Sequence, residues 1–115
     1  MITGFYRIAF TGTAGSGFGM LIFHAGNIAG ADVAGATYDG TYTEIPTTND
    51  VNYQVTMAAP AGVAPVQTGI PLAAPATIPI SGTLRQDDVE SGRPVLLQTP
   101  LGPVNIIFSK IRDLA

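Results

Sequence analysis

A chain of 115 residues has room for one core, and its eight acids and five scattered bases, a net charge of −3, do not supply the cationic surface that direct nucleic-acid binding needs. With 46% hydrophobic and 11% charged residues, against an ordinary charged share of about 25%, it is not a disordered segment. Cysteine is absent, which removes disulfides, thiolate metal sites and cysteine nucleophiles.

Glycine and proline punctuate the sequence at short intervals, the pattern of short strands joined by turns. Near the amino end Tyr6, Ile8 and Phe10 alternate with Arg7 and Ala9 as in a strand, and residues 11–17 form a glycine-rich turn. A second strand over residues 18–24 is apolar on both faces and completes a hairpin. Gly26-Asn27 then offers residues that tolerate positive φ at a tight turn, so a third strand begins at Ile28. Gly30 and Gly35 around Asp32 suit a short strand and a further turn or bulge. Residues 37–45 resume as a strand, with Tyr38, Gly40 and Tyr42 on one face and Thr37, Asp39, Thr41 and Thr43 on the other. Residues 51–57 alternate strictly, setting Val51, Tyr53, Val55 and Met57 against amides and hydroxyls.

Residues 58–76 hold Pro60, Pro65, Pro71 and Pro75 among alanines, a composition that defeats helix and sheet alike. The segment reads as a long extended loop or a low-complexity linker, and the alternation on both sides favours return to the same core. Residues 77–85 place Ile78, Ile80 and Leu84 inward, and Pro79, which lacks a ladder donor, marks an edge or an irregularity. Residues 93–98 and 104–111, separated by Pro100-Leu101-Gly102-Pro103, form a last hairpin. The count is about eight strands and no helix. Such spacing builds either a sandwich or an up-and-down barrel, and closure removes edges that so few charges would defend. The expectation is therefore an all-β chain, a small antiparallel up-and-down β-barrel occupying residues 1–115 as a single domain, with 58–76 as its long loop.

Mean hydropathy is +0.33, yet the longest apolar run is Met20-Leu21-Ile22-Phe23, far below the ~18 residues of a spanning helix. No membrane segment is expected. The opening Met1-Ile2-Thr3-Gly4-Phe5-Tyr6-Arg7 lacks a basic stretch followed by an apolar one, so no secretory leader is expected and a cytoplasmic location fits.

The residues that carry chemistry are sparse. His24 is the one histidine, at the end of an apolar strand, where a structural or surface role outweighs that of a base. A zinc site would have to be assembled from carboxylates. Thr13-Ala14-Gly15-Ser16-Gly17-Phe18-Gly19 is glycine-rich, but no Gly-Lys-Ser/Thr follows and no helix comes after it to hold a phosphate. Ser16 lacks a nucleophile elbow because Ala14 stands two residues before it. Neither an enzyme, a cofactor nor a metal is expected. Asp87, Asp88 and Glu90 form an acidic run that suits calcium or a basic partner, but without the oxygen-ligand pattern of an EF-hand it reads as a solvated acidic hairpin turn. With Glu44 and Asp50 these acids are the candidate partner-binding residues. Tyr6, Tyr38, Tyr42 and Tyr53 fall on apolar strand faces and, with Met57, are the candidate lining of an interior cavity. Eight-stranded barrels are either filled by side chains or hold one small ligand.

Four segments in the first half carry a more specific pattern: Gly4-Phe5-Tyr6-Arg7-Ile8-Ala9-Phe10, Gly17-Phe18-Gly19-Met20-Leu21-Ile22, Gly26-Asn27-Ile28-Ala29-Gly30-Ala31-Asp32 and Tyr38-Asp39-Gly40-Thr41-Tyr42. Together, with weaker support from residues 103–112, they resemble the GrlR-like family. That resemblance implies a small lipocalin-like barrel that dimerises, and a regulator that represses bacterial type III secretion genes by capturing a transcriptional activator protein. Where the founding regulator has an acidic Glu-Asp-Glu-Asp loop, residues 43–50 supply only Glu44 and Asp50. Two expectations follow for function. One is a non-catalytic, homodimeric protein that sequesters a protein partner; the other is a carrier of a small apolar molecule, in either case without direct contact to nucleic acid or membrane.

Overall fold

Alternation of period two buries one face of each segment, and the hydrogen-bonding edges then pair in sequence. In the computed structural model, which describes residues 2–114, the chain is all-β. Its strands are β1 (Gly4–Gly12), β2 (Gly15–His24), β3 (Asn27–Asp32), β4 (Thr37–Ile45), β5 (Asp50–Ala59), β6 (Ala76–Arg85), β7 (Val95–Thr99) and β8 (Gly102–Arg112), with one short helix, α1 (Gln86–Ser91). All ladders are antiparallel and run in the order β6-β5-β4-β3-β2-β1-β8-β7. The two end strands, β6 and β7, approach each other across a seam, so the sheet curls into a nearly closed up-and-down barrel.

The turns at one end join β1 to β2, β3 to β4, β5 to β6 and β7 to β8; the other end holds the remaining turns, α1 and both chain ends. The second end is packed solid. Tyr6, Phe23, Phe108 and Val51 are buried there, with Tyr6 edge-on to Phe23 at 5.5 Å and to Phe108 at 6.2 Å between ring centroids. Such edge-to-face contacts add roughly 0.5–1.5 kcal/mol per pair beyond the area they bury.

Three details differ from the sequence-based expectation. The glycine-rich segment is mostly strand, because Gly12 pairs with Gly15 and confines the turn to Thr13 and Ala14. The next turn is Ala25-Gly26, one residue earlier than expected, since Asn27 pairs with His24 and belongs to the ladder. Ala25 (φ 50°) and Gly26 (φ 81°) both take the left-handed conformation that a two-residue hairpin turn demands. Residues 86–91, expected as an acidic turn, are the helix α1, anchored by the fully buried Val89 and ended by Gly92 at φ 73°. Asp87 and Asp88 lie in its first turn, where the helix dipole favours negative charge.

Pro79 lies in β6, an end strand that ladders only with β5, so its missing donor costs no ladder bond on the far side. Residues 60–75 have no strand or helix but are not loose. Gly62 N donates to Leu72 O at 2.8 Å, Leu72 N to Val63 O at 2.9 Å and Gly69 N to Pro65 O at 2.7 Å. A further bond, Ala14 N to Val66 O at 2.8 Å, fastens this segment across the open end of the barrel. Gly12 is required beneath it, because a Cβ there would collide with the Val66 carbonyl.

Candidate functional site

Below residues 60–75 the barrel interior is not filled. A cavity of about 180 Å³ extends from an aromatic floor at Phe23 and Phe108, past Ile8, Leu21 and Ile106, to a roof formed by residues 63–67. Val33 and Ala34 of the β3–β4 turn border the same space, and Val33 is 78% exposed, so the cavity reaches the surface beside that turn. Gly17 forms part of its wall, where the Phe10 ring lies over it so closely that a Cβ there would fall 2.6 Å from the ring.

The polar groups gather near the roof. Asp32 ends β3, where its Oδ1 accepts from Ala34 N at 3.0 Å and Ala36 N at 3.1 Å, and its Oδ2 accepts from the Tyr38 hydroxyl at 2.6 Å. Burial, and then the bond to Asp32 and that carboxylate's charge, push the Tyr38 hydroxyl well above the ordinary tyrosine range. It therefore stays a donor to Asp32 at any physiological pH. Gln67 reaches down from the roof, its Nε2 donating to Thr99 Oγ1 at 3.1 Å. The Thr99 hydroxyl in turn donates to Gly102 O at 2.7 Å. Among the described residues, no lysine, arginine or histidine lines the cavity.

Of the five residues expected to line an interior cavity, Tyr38, Tyr53 and Met57 do so. Tyr6 and Tyr42 do not; Tyr6 is sealed in the packed end, and Tyr42 stacks edge-on against Phe23 at 5.3 Å on the same side of the floor. Among the described residues the Tyr6 hydroxyl has no hydrogen-bond partner. Burial pushes it up to about 12, with smaller contributions from the charges of Glu90, Asp113 and Glu44.

The five candidate partner-binding acids lie together at the packed end, away from the cavity mouth. Gln86 N donates to Asn49 O at 2.8 Å, which ties the β4–β5 turn, flanked by Glu44 and Asp50, to the helix carrying Asp87, Asp88 and Glu90. Bases share that end. Arg93 Nε contacts Asp88 Oδ1 at 2.9 Å, Arg85 pairs in the ladder with Asp50, and Glu90 accepts from Gln86 Nε2 at 2.8 Å.

The alternation of Tyr6, Ile8 and Phe10 in the sequence of β1 already set Ile8 and Phe10 on one face, so these two lining residues were within reach of the sequence. Gln67 and Thr99 were not, because their places depend on where the long loop crosses, and the role of Asp32 was not, because it rests on bonds to Ala34, Ala36 and Tyr38 made by the folded β3–β4 turn. Comparison of the chain with protein-family models, curated proteins and solved structures finds no match. Function is therefore argued from the geometry. Among the described residues, no helix is long and apolar enough to cross a membrane.

Proposed function

We propose that the protein is a non-catalytic binding protein that holds one small, largely apolar molecule inside the barrel, under the roof formed by residues 60–75. The observation that carries this reading is the unfilled 180 Å³ above the aromatic floor. The side chains that face this space forgo packing contacts on one side. An apolar occupant recovers that loss. The test is native mass spectrometry of protein purified without denaturant, followed by solvent extraction, together with titration calorimetry using small aromatic molecules. Val55→Phe places a ring in the cavity; it is expected to reduce uptake at least tenfold while raising stability by about 0.5–2 kcal/mol. A wild-type protein that carries and takes up nothing, beside a Val55→Phe variant that is merely more stable, would make the space a packing defect.

A second reading, capture of a protein partner or of a second copy of the chain in the manner of the GrlR-like family, is favoured by the outer face of β2, β1 and β8. Phe18 (58% exposed) and Ile107 (40% exposed) flank Ala9 in register on the neighbouring strands, with Met20 two ladder pairs away on the same face, beside Arg7. The outer face of β4, β5 and β6 presents hydroxyls and amides instead, Thr41, Thr43, Asn52, Gln54, Ser81 and Thr83 among them. Light scattering at micromolar concentration decides the dimer: a monomer for wild type, or a dimer that survives Phe18→Glu with Ile107→Lys, removes this face as its interface.

A further inference from the structure

Resting on the cavity-binding reading, we infer that the occupant is an uncharged molecule built on one ring with a short substituent bearing a hydrogen-bond donor, and that anionic ligands such as fatty acids are refused. Size sets the first limit. An apolar cavity of about 150 Å³ accommodates benzene, so 180 Å³ here suits one ring with a few further atoms, about eight to ten non-hydrogen atoms, inside the barrel.

Charge sets the second limit. A carboxylate taken out of water needs a cation or several donors, and this cavity offers neither. Its lining includes no lysine, arginine or histidine, and the one charge beside it is that of Asp32, which repels an anion. Arg7 lies on the outer face of β1, and Arg85, Arg93, Lys110 and Arg112 lie toward the packed end. A cation is attracted by Asp32, but the bonds from Ala34, Ala36 and Tyr38 leave that carboxylate about one open lone-pair site, and one such contact does not offset the desolvation of an ammonium.

The hydrogen-bonding sense sets the third. Near the roof the Tyr38 and Thr99 hydroxyls direct their single donors into the protein, to Asp32 and to Gly102 O, and Gln67 spends one of its two amide N–H groups on Thr99. What Tyr38 keeps for a guest is acceptor capacity alone, whereas the Gln67 amide keeps its carbonyl oxygen and a second N–H. A hydroxyl or ring N–H on the guest satisfies the Tyr38 oxygen, whereas a guest whose only polar atoms are acceptors leaves it unmet.

Four probes with one body separate these claims: toluene, benzyl alcohol, benzoate and benzylamine, titrated calorimetrically into wild type, Tyr38→Phe and Gln67→Met. Benzyl alcohol is expected to bind at least tenfold more tightly than benzoate or benzylamine. Tyr38→Phe is expected to weaken benzyl alcohol about fivefold, the size of one neutral hydrogen bond, and to leave toluene within twofold of wild type, which also shows that the variant's cavity is intact. Gln67→Met provides a second acceptor deletion that leaves the Asp32 bonds untouched, and benzyl alcohol should weaken there too. Benzoate or benzylamine binding as tightly as the alcohol would overturn the charge rule, and an alcohol indifferent to both variants would overturn the donor rule. Toluene binding with failure of the alcohol leaves the cavity reading intact and removes this inference alone. Failure of all four probes removes both.

Discussion

Asp32 and Tyr6 show opposite uses of a polar atom in an apolar barrel. Asp32 spends both oxygens on the β3–β4 turn and on Tyr38, so its carboxylate is satisfied beside a cavity without a cation. Tyr6 brings a hydroxyl into the packed end and finds no partner for it among the described residues. A buried, unsatisfied hydroxyl costs roughly 1–3 kcal/mol, so Tyr6→Phe is expected to leave stability unchanged or raise it by up to about 1 kcal/mol, as read from urea unfolding. A loss beyond 1 kcal/mol would reveal a partner for that hydroxyl. The tyrosines also set a pH limit. Hydroxyls of Tyr6, Tyr38 and Tyr53 are all raised above the usual 10 by burial, that of Tyr6 to about 12. Below pH 10 these groups are protonated in folded and unfolded chains alike, and their full contribution is present. Above it the unfolded chain ionises first, so stability falls as pH rises, by up to about 1.4 kcal/mol per pH unit for each tyrosine still protonated in the fold. Unfolding midpoints at pH 9, 10 and 11 should therefore drop between the last two, and less steeply in Tyr6→Phe.

At the scale of elements, the β2–β3 turn carries strain that the sequence does not need. Ala25 adopts φ 50° where a Cβ is disfavoured, by roughly 1 kcal/mol. Ala25→Asn creates the Asn-Gly pair that such turns prefer, and it should stabilise the protein by about 0.5–1 kcal/mol at an unchanged denaturant slope; a neutral or destabilising result would place the strain elsewhere. The same turn shows how far the sequence could be read. Period-two patterns in 37–45 and 51–57 identified β4 and β5 because half-buried strands sort their side chains by face. The Ala25-Gly26 turn was misplaced by one residue because Gly26 suits a turn with either neighbour, and only the His24–Asn27 pairing chooses between them. Helix α1 was hidden for a different reason: six residues with Val89 as the sole buried side chain cannot establish a helical period. The proline-rich segment was legible as irregular, yet its role as a roof depends on contacts with Gly12, Ala14 and Thr99, all far away in sequence.

Across the whole molecule, charge and space are segregated to opposite ends. Glu44, Asp50, Asp87, Asp88 and Glu90 lie with Arg85 and Arg93 at the packed end, whereas the cavity and its roof have Asp32 as the charged side chain beside them. Two routes into the cavity compete: past residues 60–75, where the cavity already reaches the surface beside the β3–β4 turn, or through the β6–β7 seam, where no ladder closes the sheet. The packing favours the first. The seam is braced by α1, which packs on both β6 and β8, while the roof is fastened to the barrel by few bonds, Ala14 to Val66 and Gln67 to Thr99 among them. Opening a segment with so few tethers costs far less than parting strands, and local opening of this kind is what amide exchange reports. In the free protein, amides of residues 62–72 should exchange faster than those of β1 and β2, and binding of a small aromatic molecule should slow exchange at 62–72 with little change in β6 and β7. Protection appearing instead along β6 and β7 would mean that the guest passes between the strands, and that the seam, not the roof, is the moving part.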